Sequence, residues 1–390
     1  MRTKIVVALI TASLALAACG GEAPPPQPPP APPPPTTASA TAPPAPTAPP
    51  PPAKPALSEV IPQTLKGQAD AFNAHDAQKM ASYFTDDATS IAYGEGETHS
   101  KGDVQGYYTD LFTGFPDIKT AATRIWIKDN VAIMELTWTG TFTADFKGMK
   151  ATNKPVGGQR VHIMWFNDDG LVKEIHQYAD GAGVMAQIAG KKGAPAVPAL
   201  PTNPPQVHVA KGGPDEDKLV DLAKATDDAF SKDDAKAAQA LYADDADVWL
   251  SFGGGPAMKG KKELAKGLTD WFKSFPDQKW TVTNAWGIDG FAIVEHTLSG
   301  TQKGALGPFL PGTNKPVTNW HFVDIIQPTA DGKLQHGWIY SNLLEMMAQT
   351  GALKKQGDKP AAGAKAAAKS APPAGAAAPA GGAAAAPAKK

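Results

Sequence analysis

Two parts of the chain repeat apolar residues at the spacing of an amphipathic helix. The first runs from 65 to 81, with apolar positions at Leu65, Ala69, Phe72 and Met80, and the second runs from 222 to 241. A shorter helix is predicted over 104–114, with a counterpart over 262–274. Phe-Pro-Asp follows both shorter helices. It is expected to end them, because proline biases the residue before it away from helix.

Beyond these helices the pattern changes to strands. Four segments rich in Val, Ile, Thr and Trp are predicted as strands, at 124–127, 131–142, 161–166 and 171–178. The residues Asn167-Asp168-Asp169-Gly170 predict a hairpin turn between the last two. Helices followed by an antiparallel sheet predict an α+β domain.

Two short sequence motifs each occur twice, with nearly the same spacing between them. Phe115-Pro116-Asp117 precedes Thr152–Val156, and Phe275-Pro276-Asp277 precedes Thr313–Val317 at nearly the same distance. Each copy spans about 130 residues, which is enough to bury its own core. The sequence therefore predicts two tandem domains, at 58–190 and 215–353, joined by a linker at 191–214.

The N-terminus predicts export. Residues 1–18 carry Arg2 and Lys4 before an apolar run that is too short to span a bilayer, as in a signal peptide. Leu16-Ala17-Ala18-Cys19 resembles the lipobox of bacterial lipoproteins, which implies lipidation of Cys19 and attachment to the cell envelope. Gly20 then implies, again by resemblance, the outer membrane of a Gram-negative bacterium. An ordinary signal peptide with a coincidental cysteine is the alternative.

Two low-complexity segments flank the predicted domains. The segment 19–57 holds 18 prolines within Pro24–Pro55 and predicts an extended tether. The tail 354–390 has seven lysines and one aspartate, so its net charge is +6, while the chain as a whole has −1. This tail is interpreted as disordered and solvated, or as binding an anionic surface. Nucleic acid is not an expected partner of an exported lipoprotein.

The order of helices, Phe-Pro-Asp, Gly140-Thr141, Thr-Asn-Lys-Pro-Val and a final hairpin resembles the SnoaL-like polyketide cyclases. These belong to the superfamily of ketosteroid isomerase and nuclear transport factor 2. The resemblance implies two cone-shaped domains, each with N-terminal helices packed on a curved antiparallel sheet. It also implies an apolar pocket that works without a cofactor, and the sequence itself shows neither a phosphate loop nor a metal-ligand cluster. Members often dimerise through the outer sheet face, so an internal pseudo-dimer is a further expectation.

The resemblance places a general acid/base on Asp180, near the end of the last strand. Asp180 is equally interpreted as the N-cap of a short helix, and its counterpart Asn342 would keep that capping role. His162 is expected opposite residue 175, 176 or 177, close enough to Asp180 to form a proton-transfer pair. The corresponding histidine of the second copy, His321, is out of phase by one or two residues.

Other residues are candidates for pocket walls. Glu135 and Glu295 occupy the same place in both copies. Each is interpreted either as a buried functional acid or as an edge residue that reaches solvent or a basic partner such as Arg124 or Arg160. The aromatic candidates are Trp126, Trp138, Tyr178 and Tyr340. Because the copies keep their fold-defining words and differ at Asp180, we expect a lipoprotein that binds a small hydrophobic molecule or an envelope partner. The alternative is a cofactor-independent cyclase, isomerase or hydrolase acting on a small carbonyl compound through domain 1.

Overall fold

The computed structural model describes residues 54–252, 255–306 and 310–353. The predicted signal peptide, Cys19, the proline-rich linker up to residue 53 and the predicted tail lie outside these residues. The described part contains two α+β domains in tandem, each with helices packed on one sheet, and this confirms the predicted fold class.

Domain 1 is built from four helices and six strands. In chain order they are α1 (Leu57–Asn73), α2 (Ala77–Ala81), β1 (Phe84–Ala92), β2 (Gly96–Thr98), α3 (Lys101–Gly114), β3 (Lys119–Lys128), β4 (Val131–Phe142), β5 (Lys154–Phe166), β6 (Val172–Ala179) and α4 (Gly181–Ala189). A further strand, β7 (Gln206–Val209), lies in the predicted linker and pairs with the edge strand β3. The linker is thus partly structured, because the free edge of β3 offers it backbone hydrogen-bond partners.

Domain 2 repeats this order. Its elements are α5 (Pro214–Ser231), α6 (Ala235–Ala240), β8 (Tyr242–Leu250), β9 (Met258–Lys259), α7 (Gly260–Ser274), β10 (Lys279–Ile288), β11 (Phe291–Gln302), β12 (Lys315–Pro328), β13 (Leu334–Ser341) and α8 (Leu343–Thr350). The sheet orders are β2-β1-β6-β5-β4-β3-β7 and β10-β11-β12-β13-β8-β9. Pairing is antiparallel except for β1 with β6, β8 with β13, and β3 with β7.

The predicted first helix is in fact two helices. His75 has a left-handed backbone with φ +57°, which ends the path of α1, and Asp76 then caps α2 by accepting a hydrogen bond from Lys79 N. Asp233 and Asp234 do the same in domain 2. The Asp86-Asp87 pair lies within β1, where the pairing with β6 shifts between Phe84 and Thr89, and both aspartates are exposed.

The repeated motifs make the same structural contacts in both domains. Asp117 accepts hydrogen bonds from the backbone and the hydroxyl of Thr141, both at 2.6 Å, and Asp277 does the same with Thr301. Phe-Pro-Asp therefore fastens the end of the helix to the Gly-Thr step of the sheet in both copies. The asparagine of Thr-Asn-Lys-Pro-Val has positive φ, at +53° and +55°, a conformation that asparagine tolerates better than most residues.

The central strands alternate between two faces, as the period of a strand requires. In β4, Met134, Leu136 and Trp138 face the helices of domain 1, whereas Ile133 and Glu135 face the opposite side. In both domains, the sheet face turned away from the helices packs against the same face of the other domain, and the two faces share one apolar cluster. Its buried members are Trp126, Val131, Ile133, Val161, Ile163 and Tyr178 of domain 1 with Trp286, Ile288, Phe291, Ile293, Val323, Ile325 and Tyr340 of domain 2.

Candidate functional site

Domain 2 has a cavity of about 540 Å³, open to solvent on one side, between its helices and the inner face of its sheet. The walls are mainly apolar and aromatic. Lining residues include Phe230 of α5, Leu268 and Trp271 of α7, Trp280 of β10 and Phe322 of β12. A cavity of this size is in the range of small-molecule sites, about 300–1,000 Å³.

Three of the ionisable residues that line this cavity form one cluster: Asp227 of α5, His296 of β11 and Asp324 of β12. The lining also includes Tyr242 and the ion pair of Lys266 with Asp270, at 2.7 Å. His296 Nδ1 donates to both carboxylate oxygens of Asp227, each at 2.8 Å. On the other side, His296 Nε2 lies 3.4 Å from Asp324 Oδ1 without the geometry of a hydrogen bond. The side chains of His296 and Asp227 are almost fully buried, at 2% and 8% exposure, and that of Asp324 is exposed by 14%.

The charges in this cluster are set by its geometry. Burial opposes protonation of His296, but Asp227 and Asp324 together outweigh it and raise the pKa of His296 to about 10. Burial likewise raises the pKa of Asp324, and the neighbouring His296 works against that rise. At neutral pH the cluster therefore holds an imidazolium between two acidic side chains.

Domain 1 has a much smaller cavity in the same place, about 80 Å³. Helix α3 supplies Tyr107 and Tyr108 to its wall, and the residues of α7 at the same distance from the Phe-Pro-Asp motif are Gly267 and Leu268. Two tyrosine rings thus line the cone of domain 1 at the places where domain 2 has a glycine, covered by the side chain of Met258, and a leucine.

The cluster of Asp227, His296 and Asp324 has no equivalent in domain 1, as the matching positions show. Glu135 and Glu295 both face the interface between the domains, so the next residues, Leu136 and His296, correspond. Counting back from the caps Asp76 and Asp234 matches Ala69 with Asp227. Counting from the paired residues Val161 and Val323 matches His162 with Asp324.

His162 does line the domain 1 cavity and pairs in the sheet with Gln177, as expected from the hairpin. Burial, together with the positive charge of Arg160, lowers the pKa of His162 to about 3, so the ring is neutral. Its Nε2 has no hydrogen-bond partner within the described part of the chain. Trp138 lines the same cavity.

Asp180 does not join His162. Its Oδ1 accepts a hydrogen bond of 2.9 Å from Gly183 N and caps α4, and it is not part of the wall of either cavity. Burial raises the pKa of Asp180 to about 6. Asn342 likewise caps α8 through Leu344 N, and its amide donates to Tyr93 O of domain 1. The capping interpretation is confirmed at both positions.

The remaining predicted pocket residues lie between the domains, and this corrects their assignment to the cones. Glu135 is bound by Arg124, whose Nε and Nη2 donate to its two oxygens at 2.7 Å each, and by the hydroxyls of Thr123 and Tyr340. The pairing interpretation therefore holds for Glu135. The Arg124 guanidinium also lies 3.7 Å from the ring centre of Trp338 in domain 2.

Glu295 has a reciprocal set of partners. It accepts from the Tyr178 hydroxyl at 2.6 Å, from Asn284 Nδ2 at 2.6 Å and from His176 Nδ1 at 2.5 Å. Burial opposes the charge on His176, but Glu295 and Glu174 outweigh it and raise its pKa. Trp126 is fully buried in the cluster between the sheets. His321 binds Glu345 at 2.6 Å and stacks on Tyr93 of domain 1.

The sequence reasoning missed Asp227, His296 and Asp324. One signal was present: His296 directly follows Glu295 in a strand, so the two side chains point to opposite faces. Within the described ranges, no group of three His, Cys, Asp or Glu residues has the geometry of a metal site. None of the helices in these ranges combines the length and apolar character needed to cross a bilayer.

Comparison with known proteins matches both domains. Residues 63–188 match the model of the SnoaL-like polyketide cyclases, and residues 223–336 match the model of the SnoaL-like domain. No curated protein sequence matches the chain.

Among solved structures, similarity extends over about a third of the chain. A candidate SnoaL-like polyketide cyclase from Jannaschia sp. CCS1 is 18% identical, with 34% of this chain and 94% of that chain covered and a TM-score of 0.32. IdmH, a candidate polyketide cyclase from Streptomyces antibioticus, is 20% identical, with coverage of 33% and 98% and a TM-score of 0.30. TsrD from Streptomyces laurentii is 13% identical, with coverage of 33% and 95% and a TM-score of 0.31.

Proposed function

We propose that this chain, which belongs to the SnoaL-like family through its two tandem domains, binds a small hydrophobic molecule in domain 2. We further propose, from its N-terminal sequence, that it is an exported, lipid-anchored protein. The observation that carries the binding proposal is the contrast between the cavities, about 540 Å³ in domain 2 and about 80 Å³ in domain 1. The smaller volume holds a few water molecules at most, whereas the larger suits a ligand of drug-like size.

The walls of the domain 2 cavity support an apolar ligand. Trp271, Trp280 and Phe322 present large ring surfaces, and burying such surface contributes about 25 cal/mol per Å². Domain 1 then has a structural role, since its cone is filled and its sheet is packed against that of domain 2.

A second candidate function is cofactor-independent acid–base catalysis in the same cone. It is favoured by one observation, the Asp227–His296–Asp324 cluster at the cavity wall. A positioned acid and base in an apolar pocket are sufficient for proton transfer to or from carbon. Under this second proposal the candidate chemistry lies in domain 2, and Asp180 acts as a helix cap.

The binding proposal is tested by filling the cone with the residues that domain 1 uses. Gly267→Tyr combined with Leu268→Tyr introduces both rings of domain 1, and the added side chain at Gly267 meets first the flexible end of Met258. Thr269→Tyr, on the exposed side of α7, is the matched control. Binding of the neutral dye N-phenyl-1-naphthylamine is expected to fall sharply in the double variant and to persist in the control. Equal binding in both would place the dye elsewhere and refute the proposal.

The anchor is tested separately. Cells expressing the full chain are labelled with an alkynyl fatty acid, and the parent is compared with Cys19→Ser. We expect label and membrane fractionation in the parent and loss of both in the variant. An unlabelled parent would support an ordinary signal peptide.

A further inference from the structure

Arg160 of β5 lies at the wall of the domain 1 cavity without a negatively charged partner. The described part of the chain contains two arginines, and Arg124 is paired with Glu135, whereas Arg160 has no ion pair among the described residues. None of the residues that line the domain 1 cavity is acidic. A positive charge therefore borders a mainly apolar space, where a charge is costly unless an anion compensates it.

The side chains around Arg160 do not supply the missing negative charge. Burial, aided by the charge of Arg160, lowers the pKa of His162 to about 3, so that ring is neutral. Burial also raises the pKa of Tyr107, whose hydroxyl therefore stays protonated at neutral pH. The guanidinium carbon lies 5.1 Å from the ring centre of Trp138, and a contact of this kind contributes at most about 2 kcal/mol.

The guanidinium is within reach of a small ligand. Arg160 is half-buried, and its Nε is enclosed and has no hydrogen-bond partner among the described residues. The two terminal nitrogens are not among the enclosed atoms, and neither makes a hydrogen bond to a described residue, so both are accessible. The cavity is open to solvent on one side, as in domain 2.

A second cation lies close to this cavity. The exposed Lys147 has its Nζ 5.0 Å from the ring centre of Tyr107 and donates to the backbone oxygen of Glu95. Burial lowers the pKa of Lys147, to which the charge of Arg160 adds and which the charge of Glu95 opposes. The Glu95 carboxylate is held by Asn342 Nδ2 of domain 2 and is not part of the cavity wall.

We propose that the domain 1 cone binds the carboxylate of a small aliphatic acid, which accepts hydrogen bonds from the terminal nitrogens of Arg160. The planar guanidinium can donate to both oxygens of a carboxylate at once. Other parts of the wall, including Leu111, Leu136 and Ile175, suit a short hydrocarbon chain. The space left in this otherwise filled cone is about 80 Å³, so the acid has only a few carbon atoms and differs from the larger ligand proposed for domain 2.

Other small molecules fit the cavity less well. Phosphate would bring more negative charge than one guanidinium balances and would place it among apolar walls. An amine would be repelled by Arg160, and a neutral amide would leave the guanidinium without a counter-charge. A short carboxylate has both the single charge and the apolar body that the wall requires.

The experiment titrates the purified chain, labelled with ¹⁵N-arginine, with propionate at pH 7 and follows the Nε–H signals by NMR. The chain has three arginines, Arg2, Arg124 and Arg160, so each signal can be assigned with single variants. We expect propionate to shift the Arg160 signal with a Kd of about 1 mM or tighter. The matched neutral probe, propionamide, should bind at least about tenfold more weakly, because hydrogen bonds to charged groups are the stronger ones.

Variants assign the binding to Arg160. Counting from the paired residues Val161 and Val323 matches Arg160 with Phe322, so Arg160→Phe installs the residue of domain 2 and should abolish propionate binding, measured by calorimetry. Arg160→Lys keeps the charge without the planar fork and should bind more weakly than the parent. Lys173→Gln removes a positive charge from an exposed position of β6 and should bind as the parent does.

Each other result overturns the proposal. Equal binding of propionate and propionamide would show that the charge of Arg160 plays no part. Unchanged binding in Arg160→Phe would place propionate elsewhere, and tighter binding of inorganic phosphate would indicate a different class of anion. Absence of binding by the parent at about 10 mM propionate would refute the site outright. The comparison of the probes on the parent decides even if Arg160→Phe does not fold, and none of these results depends on dye binding in domain 2.

Discussion

Replacing Arg124 by alanine should destabilise both domains at once. Arg124 makes two charge-assisted hydrogen bonds to Glu135, and the side chains are only 12% and 6% exposed. In the variant, Glu135 keeps the hydroxyls of Thr123 and Tyr340 but loses its counter-charge. Breaking a buried ion pair on one side typically costs about 3–5 kcal/mol.

A second contribution comes from stacking. The guanidinium lies 3.7 Å from the ring centre of Trp338, and a desolvated cation–π contact contributes up to about 2 kcal/mol. We therefore expect the free energy of unfolding to fall by about 3–7 kcal/mol at pH 7. The matched variant Asn284→Ala should lose only about 1–3 kcal/mol, because Glu295 keeps His176 and Tyr178.

The loss should depend on pH. In the parent, burial of Glu135 is outweighed by Arg124, so its pKa is lowered, and the resulting stability is present above about pH 4.5 and lost as the pH falls. Without Arg124, burial dominates and the pKa rises, so the variant loses stability as the pH rises above about 4.5. The difference between parent and variant must therefore be larger at pH 7 than at pH 4.

Urea unfolding followed by tryptophan fluorescence at both pH values measures this difference, and the double variant Arg124→Ala/Glu135→Gln separates its causes. If the uncompensated carboxylate is the main cost, the double variant is more stable than Arg124→Ala at pH 7. If Glu135→Gln restores nothing and the loss is the same at pH 4, the stacking on Trp338 accounts for the effect and the electrostatic reasoning is refuted.

Three further predictions concern single residues. Asp180→Asn should keep the helix cap, and Asp180→Ala should cost about 1 kcal/mol. The raised pKa of Asp180 makes the parent lose stability as the pH rises through about 6. Thermal unfolding at pH 8 should therefore show the Asp180→Asn variant to be at least as stable as the parent. His162→Leu should lose less stability than the parent as the pH falls below about 6.5, since the lowered pKa of His162 penalises its protonation, and equal acid sensitivity would contradict this. Gly287→Ala should cost about 2 kcal/mol or more in urea unfolding, because the new Cβ would lie 2.0 Å from the backbone oxygen of Glu216.

The sequence predicts the domain fold well because its signals are local. Phe-Pro-Asp and Thr-Asn-Lys-Pro-Val are short, and each repeats a specific hydrogen bond or backbone angle in both copies. The final hairpin is similar, since Asn167 Oδ1 closes the turn by accepting from Asp169 N and Leu171 N.

The site was harder to predict because it depends on which face of each sheet is covered by the other domain. Glu135 and Ile133 share a face, as alternation predicts, but sequence alone does not say that this face is buried by domain 2 and not by the helices. The same ambiguity hid His296, whose partner Asp227 lies 69 residues away in another element. The two cones also differ in their linings, with Tyr107 and Tyr108 in domain 1 where domain 2 has Gly267 and Leu268, and no motif marks this difference in the sequence.

The reciprocal sites between the sheets explain why the two copies reside in one chain. Two-fold symmetry requires a homodimer to have the same residues at both sites. Here Glu135 and Tyr340 at one site match Glu295 and Tyr178 at the other, yet their neighbours differ. Arg124 and Trp338 occupy the positions that Asn284 and His176 occupy in the other copy. At one site the buried glutamate is accompanied by a guanidinium stacked on an indole, and at the other by an amide and an imidazole. Each combination takes one residue from each domain. Such paired differences require two halves of different sequence, and two copies joined in one chain meet that requirement. The same joining allows one cone to be filled while the other remains open.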